Sequence, residues 1–170
     1  YQREDAHNNT KLRHFMPHSV LDGKALRRAA GWFAEEEYFS DEIAESATRI
    51  LRAGGLIGVG AHGQLQGLGY HWELWTIAMG GMTGMEALRT ATINGAKIIG
   101  RATELGSLEP GKYADLVILN SNPLDNIRNT VDINLVMSNG RIYDDETMDQ
   151  VWPEQKALPA YWWHDDEPNQ

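Results

Sequence analysis

The sequence contains no cysteine among its 170 residues. This absence excludes a disulfide framework, a thiolate zinc site and a cysteine nucleophile. It leaves the cellular compartment open, because cysteine-free proteins occur in both reducing and oxidising environments. The remaining composition, 42% hydrophobic and 23% charged, is that of a globular chain that can bury a core without covalent staples.

Basic residues are scarce as well. The chain has 15 Lys and Arg against 24 Asp and Glu, a formal net charge of −9. This balance argues against nucleic acid as a partner, since nonspecific binding needs clustered cations. No apolar run approaches the ~20 residues of a membrane span, so no membrane partner is expected. The polar residues 1–5 do not resemble a signal peptide, and the localisation, cytoplasmic or periplasmic/secreted, stays open.

Helix signals dominate the first hundred residues. The polar residues 1–22 are typical of a loop with one short helix. Ser40-Asp41-Glu42 resembles a helix start, and an apolar stripe follows it, made by Ile43, Ala44, Ala47, Ile50 and Leu51. Glycine pairs at 54–55 and 80–81 are expected to end this helix and a second one over 72–79. Thr83 and Glu86 predict a capping box for a third helix, which Asn94-Gly95 should interrupt.

Strand signals are fewer and lie mostly after residue 100. The short apolar run at 56–60, bounded by glycines, predicts a buried strand. Residues 114–119, 133–137 and 141–143 predict three more strands, and Asn139-Gly140 between the last two is a type I′ hairpin signal. Residues 144–170 indicate a short helix and a tail.

Two neighbouring motifs are the most specific feature of the chain. The first runs Met82-Thr-Gly-Met-Glu-Ala-Leu-Arg-Thr-Ala-Thr-Ile-Asn-Gly-Ala-Lys, and the second runs Leu105-Gly-Ser-Leu-Glu-Pro-Gly-Lys-Tyr-Ala-Asp-Leu-Val-Ile-Leu. Together they closely resemble the C-terminal part of metal-dependent amidohydrolases, in particular imidazolonepropionase- and prolidase-like members. The run Gly-Ala-His-Gly-Gln-Leu-Gln-Gly at 60–67 resembles a long-chain subgroup, in which a β-propeller-like region precedes the hydrolase part.

The resemblance implies an α/β fold. It assigns residues 1–103 to the C-terminal portion of a (β/α)₈ TIM barrel, with 56–60 as the eighth strand. Residues 104–143 correspond to the C-terminal strands of a small composite β-sandwich, and 144–170 form a C-terminal helix and tail. A complete barrel takes ~250 residues. The chain is therefore interpreted as a C-terminal fragment, and the first residue, Tyr1 rather than Met, agrees with that interpretation.

His62 is the strongest candidate for chemistry. It follows the predicted strand at 56–60 by two residues, at the end where barrel enzymes place their active sites. The resembling enzymes usually carry a metal-binding aspartate at this position. A histidine could take over metal ligation or proton transfer. It could equally be a loop residue that bonds neighbouring backbone, and the sequence leaves open whether His62 is a metal ligand.

Three polar residues are candidates for substrate binding. Gln64 and Gln66 share the glycine-rich loop with His62, and Arg3 could hold a substrate carboxylate. The competing interpretation for the glutamines is side chain–backbone bonding within the loop. His71 and Glu73 are interpreted as structural residues that position this loop. His7, His14 and His18 lack the spacing of a metal site, and Trp72, Trp75 and Met79 are interpreted as core residues.

Two functions follow from these expectations. The resemblance implies a zinc- or other divalent-metal-dependent hydrolase of carbon–nitrogen bonds, acting on a small amide, cyclic amide or dipeptide-like substrate. Its isolated 170-residue fragment would be inactive and bind no metal. The alternative is a non-catalytic structural or oligomerisation fragment, which forms a homo-oligomer or associates with the missing barrel portion because its strand edges and helix faces are uncovered.

Overall fold

The structure is a computed structural model that describes residues 6–25, 40–62 and 65–164. Its α-helices are α1 (Thr10–Phe15), α2 (His18–Ala25), α3 (Ser40–Arg52), α4 (Leu68–Ala78), α5 (Gly84–Thr90) and α6 (Ile93–Ile98). Its strands are β1 (Leu116–Leu119), β2 (Ile133–Ser138), β3 (Arg141–Asp144) and β4 (Gln150–Trp152). In the described part of the chain, no helix is long and apolar enough to cross a bilayer.

Helix α3 begins at Ser40 as predicted, and its predicted stripe is confirmed in part: Ala44 is buried and Ala47 and Leu51 pack against the core, but the two isoleucines do not. Ala44 and Thr48 are buried against the neighbouring helices, whereas Ile43 is 67% exposed and Ile50 is 51% exposed. The reason is a close approach of the end of α4. A Cβ atom at position 80 would lie 2.1 Å from the carbonyl oxygen of Ala44. The backbone at position 80 therefore lies so close to the backbone of Ala44 that only glycine fits there. Helix α3 meets the end of α4 at Ala44 and not at its isoleucines.

This contact predicts a destabilising effect of Gly80→Ala. The added methyl would press on backbone atoms of Ala44 and Glu45, which cannot rotate away as a side chain could. We expect the free energy of unfolding to fall by about 1–3 kcal/mol, the usual cost of overpacking. Urea denaturation followed by circular dichroism measures this change.

The matched control is Gly23→Ala. Gly23 lies inside α2, and a Cβ there meets no atom within 4 Å. The same substitution should therefore raise the free energy of unfolding by about 0.4–1 kcal/mol, because alanine favours a helix and restricts the unfolded chain. A Gly80→Ala variant at least as stable as the wild type would contradict the packing of α3 on α4.

The predicted capping box at the start of α5 is confirmed. Thr83 Oγ1 accepts a hydrogen bond from the Glu86 N–H at 3.2 Å, and the Glu86 carboxylate accepts one from the Thr83 N–H at 2.8 Å. The predicted interruption at Asn94-Gly95 is wrong, because both residues lie inside α6. The break falls one turn earlier, at Ala91, whose carbonyl oxygen accepts a hydrogen bond from the Tyr70 hydroxyl at 2.8 Å.

The sheet is antiparallel, with the order β1-β2-β3-β4. The three predicted strands are present, and β2 and β3 meet at the predicted Asn139-Gly140 turn, where both residues have positive φ. Strand β4 was not predicted and pairs with β3 through Ile142 and Trp152. The helix expected within 144–170 is reduced, in the described residues, to one 3₁₀ turn at Trp162–His164.

The predicted strand at 56–60 is not formed. These residues are in irregular structure, and Leu56 is 46% exposed. A strand needs a neighbouring strand to accept and donate its ladder hydrogen bonds. Within the described residues all ladders belong to β1–β4, so an apolar run alone does not make this segment a strand.

The described core has two parts. One joins Leu74, Trp75, Met82 and Ala87, from α4, α5 and the turn between them. The prediction that Trp75 is a core residue is confirmed, and the same prediction for Met79 is wrong, since Met79 is 60% exposed. The other joins α1 and α2 to the loop before α4, through Ala6, Leu12, Met16, Leu21 and Leu65. The result is a helical unit followed by an antiparallel sheet, an α/β arrangement in which the loop carrying His62 lies next to both parts of the core.

Candidate functional site

His62 lies on a loop that is fixed just before it. The Gly60 N–H donates to Glu73 Oε1 at 3.2 Å, so a side chain from the middle of α4 holds the segment that leads to His62. The His62 N–H turns back to the Gly60 carbonyl oxygen at 2.7 Å, and His62 itself has a φ of 52°. Left-handed backbone in a residue other than glycine is uncommon and is enriched at functional sites.

The same loop is fixed again after His62. Leu65 is 2% exposed and packs with α1 and α2, and Leu68 starts α4 three residues later. His62 is itself exposed. The structure therefore presents an accessible imidazole on a loop that is tied down on both sides. Glu73 has the positioning contact that was predicted for it, whereas His71 points to a different neighbour, described below.

The predicted substrate-binding residues are placed only in part. Gln66 is exposed, and its Oε1 atom lies 3.4 Å from the Lys24 ammonium, which is a long hydrogen bond. Gln64 and Arg3 lie outside the described residues. The structure thus brings Gln66 onto the same loop as His62, and the substrate-binding roles of all three residues stay predictions.

The described residues do not fit a metal ion. None of the side chains in 6–25, 40–62 and 65–164 form a group of three or more His, Asp or Glu that could hold one. Zinc needs three or four such donors at ~2 Å. His62 alone does not supply this set, and its predicted role as a metal ligand is untested.

A buried polar network lies under α4 and was not predicted. The Trp75 Nε1–H donates to the Thr130 hydroxyl and to the Ile127 carbonyl oxygen, each at 3.1 Å. His71 Nδ1 lies 3.0 Å from the same hydroxyl. Burial lowers the pKa of His71 below its ordinary value of 6.5, which favours the neutral ring. His71 and Trp75 therefore join α4 to the 3₁₀ helix at Ile127–Val131.

A concavity of about 380 Å³ lies beside this network. It is bounded by the end of α4, the start of α5 and the chain around Ile127, and the Arg128 guanidinium lies 4.8 Å from the Trp75 ring centroid. His62 and Gln66, the predicted site residues that the structure describes, do not line it. This cavity is therefore separate from the candidate site at His62.

An ion pair between Arg52 and Glu86 joins α3 to α5. Arg52 Nε and Nη2 donate to the two Glu86 carboxylate oxygens at 3.0 and 2.9 Å. The bonds from Arg52 and from the Thr83 backbone lower the pKa of Glu86 from 4.5 to about 2. The folded state therefore holds the ionised carboxylate more strongly than the unfolded state does.

This shift predicts an acid-sensitive contribution to stability. Since the folded pKa lies below the unfolded one, the contribution is complete above pH 4.5 and is lost as the pH falls toward 2. Glu86→Gln should lower the unfolding midpoint at pH 7 and flatten its decline across that window. Thermal unfolding measured at several pH values tests both effects. Glu42→Gln, which removes an exposed carboxylate from the first turn of α3, is the matched control for the loss of one negative charge.

Comparison with known proteins shows which family the chain resembles. The model of the Amidohydrolase family matches residues 36–143, more than half of the chain. The imidazolonepropionase of Geobacillus kaustophilus is 68% identical over 40 residues, which cover 24% of this chain and 9% of that protein. The 5-methylthioadenosine/S-adenosylhomocysteine deaminase of Teredinibacter turnerae is 59% identical over 39 residues, 23% of this chain and 9% of that protein.

Solved structures are similar over a longer stretch. A Xaa-Pro dipeptidase with bound methionine in its active site has a TM-score of 0.55 and 26% identity, over 74% of this chain and 33% of that one. Another amidohydrolase has a TM-score of 0.51 and 25% identity, over 75% of this chain and 32% of its own. The present chain thus spans a third or less of the proteins that it matches.

These likenesses agree with the two motifs at 82–97 and 105–119, and they relate the α/β arrangement to that of TIM-barrel hydrolases. The matched segment includes α3 to β3, the His62 loop and the capping box at Thr83. The chain belongs to the amidohydrolase family.

Proposed function

We propose that this chain supplies the closing portion of a metal-dependent hydrolase of carbon–nitrogen bonds. The substrate class is a small amide, a cyclic amide or a dipeptide-like molecule. Membership of the amidohydrolase family supports the reaction class. The names of similar proteins, a Xaa-Pro dipeptidase and a deaminase, also describe reactions at carbon–nitrogen bonds.

Within this chain, His62 is the residue proposed to touch the substrate or the attacking water. The observation that carries this role is the geometry of the loop. Glu73 accepts a hydrogen bond from the backbone before His62, Leu65 after it is buried, and the His62 side chain is exposed. A neutral imidazole can accept a proton from water and return it to a leaving nitrogen. Gln64, Gln66 and Arg3 are proposed to orient polar groups of the substrate.

The isolated chain is proposed to be inactive. The described residues contain no metal-binding group, and a (β/α)₈ barrel needs ~250 residues, more than the chain has. A divalent metal, with zinc as the leading candidate, would then depend on ligands outside the described residues. Such an ion supplies a water of lowered pKa and polarises the carbonyl group.

The test compares the 170-residue chain with the longest natural polypeptide that carries it. Each is analysed for bound metal by mass spectrometry and assayed on N-acyl amino acids, Xaa-Pro dipeptides and cyclic amides. We expect metal and turnover in the long polypeptide and neither in the 170-residue chain. A long polypeptide that is folded, free of metal and inert on all three classes would overturn the proposal.

A structural role is the second candidate, and exposed apolar side chains favour it. Ile43, Ile50 and Leu56 are 67%, 51% and 46% exposed. Exposed apolar surface of this kind is typical of interfaces. Light scattering after size-exclusion chromatography separates the outcomes. A dimer or larger assembly supports the structural role, and a stable monomer argues against it.

A further inference from the structure

The N-terminal helices and the end of the described chain enclose an open cleft of about 330 Å³. Its lining comes from α1, α2 and the 3₁₀ helix Trp162–His164, and comprises Thr10, Arg13, His14, His18, Trp163 and His164. The Trp163 Nε1–H donates to the His14 carbonyl oxygen at 3.1 Å, which fixes the late segment on α1. A volume near 300 Å³ is at the lower end of small-molecule sites.

The charge of the lining is the opposite of that of the chain. Four of the six lining residues are Arg or His, and no described Asp or Glu lines the cleft, although the chain carries a net charge of −9. Arg13 forms no ion pair with any carboxylate in the described ranges. Its planar guanidinium offers five donors in the geometry that suits an oxyanion.

Two of the histidines are close enough to affect each other. Their ring centroids, in His14 and His164, are 4.6 Å apart. His164 Nε2 lies 3.0 Å from the His14 carbonyl oxygen, and because a carbonyl only accepts, this nitrogen carries the hydrogen. The other ring nitrogen is then the one that takes up a proton. Two protonated rings at this separation repel each other, and a bound anion would offset that repulsion.

We propose that this cleft binds a small oxyanion, a carboxylate or a tetrahedral oxyanion such as a phosphate group, together with protons. Arg13 supplies a permanent charge and the Thr10 hydroxyl a neutral donor. Among the described residues, the titratable and charged groups that face the site are Arg13 and His14 from α1, His18 from α2 and His164 from the 3₁₀ helix. The inference does not depend on the hydrolytic activity proposed above.

Calorimetric titration of the 170-residue chain with sulfate and with acetate tests the proposal. Both probes keep their charge between about pH 6 and pH 8, so a pH effect reports on the histidines. We expect binding at least about tenfold tighter at pH 6, with proton uptake revealed by buffers of different ionisation enthalpy. Preference for sulfate identifies a phosphate-type ligand, and preference for acetate identifies a carboxylate. Absence of saturable binding of both probes at both pH values would overturn the proposal.

Charge variants separate a built site from general attraction. Arg13→Gln should weaken anion binding by about tenfold or more. Arg13→Lys should have an affinity between those of the wild type and Arg13→Gln, because lysine keeps the charge and loses the bidentate geometry of the guanidinium. Arg49→Gln on α3 removes an equal charge from an exposed side chain that bonds only locally, to Ser46, and should not change the affinity. His18→Gln, a second and independent variant, should reduce the pH effect. Equal weakening by Arg13→Gln and Arg49→Gln would show nonspecific attraction and reject the site.

Discussion

Trp75→Ala should lower the free energy of unfolding by about 3–5 kcal/mol, the usual range for removing a buried tryptophan. Trp75 is only 8% exposed and lies at the centre of the core formed by α4 and α5. Its indole N–H also bonds Thr130 and the Ile127 carbonyl, so the substitution leaves two buried polar groups with fewer partners. Because small domains are stable by only ~5–15 kcal/mol, the variant should be close to unfolding at 37 °C.

Chemical denaturation followed by far-ultraviolet circular dichroism measures this loss without using tryptophan fluorescence. Trp162→Ala is the matched control, since that side chain is 68% exposed and its removal should change stability by less than about 0.5 kcal/mol. Trp75→Phe keeps most of the ring volume and removes the N–H donor. Its loss of stability should be smaller than that of Trp75→Ala and larger than that of Trp162→Ala. Equal effects of Trp75→Ala and Trp162→Ala would contradict the burial of Trp75.

His62→Asn should reduce kcat of the catalytically competent long polypeptide by about 10²–10⁴-fold, the range for a general acid–base residue. Asparagine has a similar size and can hydrogen-bond, but it cannot exchange a proton at this pH. KM should change much less, because the proposed role concerns the reaction and not the binding of substrate. Steady-state kinetics on the best substrate class gives both constants.

His62→Asp tests the same role from the other direction. If the carboxylate that the resemblance implies at this position can do the same chemistry, the variant should recover part of the activity that His62→Asn loses. Thermal unfolding should be nearly unchanged in both variants, because the side chain is exposed. A His62→Asn enzyme with wild-type kcat would remove His62 from the reaction and leave the family-level reaction class standing.

The predictions that succeeded concern local chemistry. The capping box at Thr83 and Glu86, the turn at Asn139-Gly140 and the start of α3 at Ser40 each depend on residues a few positions apart. The bonds of the capping box and of the turn form inside one short segment, so the sequence of that segment is sufficient to predict them. The two long motifs likewise identified the family, since the matched region includes both.

The predictions that failed concern contacts between distant segments. Residues 56–60 have the composition of a strand, but a ladder depends on a neighbour elsewhere in the chain. Ile43 and Ile50 were wrongly included in the buried face of α3, because the apolar pattern does not show how closely the chain at Gly80 approaches the backbone of Ala44. Strand β4 exists because β3 offers it an edge at Ile142. At the candidate site, the role of Glu73 in positioning the His62 loop could be predicted from the sequence, whereas the burial of Leu65 against α1 and α2 could not, because it depends on distant helices.

The attachment of α1 to the far end of the chain has a consequence for the order of folding. The Lys11 ammonium lies 2.9 Å from the Asp145 carboxylate, 134 residues away, and the His14 carbonyl meets Trp163, 149 residues away. The entropy of closing such large loops makes these contacts slow to form unless other elements have already shortened the path. During synthesis, α1 can complete its contacts only after Trp163 has left the ribosome. A truncation that removes residues 161–164 should therefore expose α1 to proteases while the core around Trp75 stays protected.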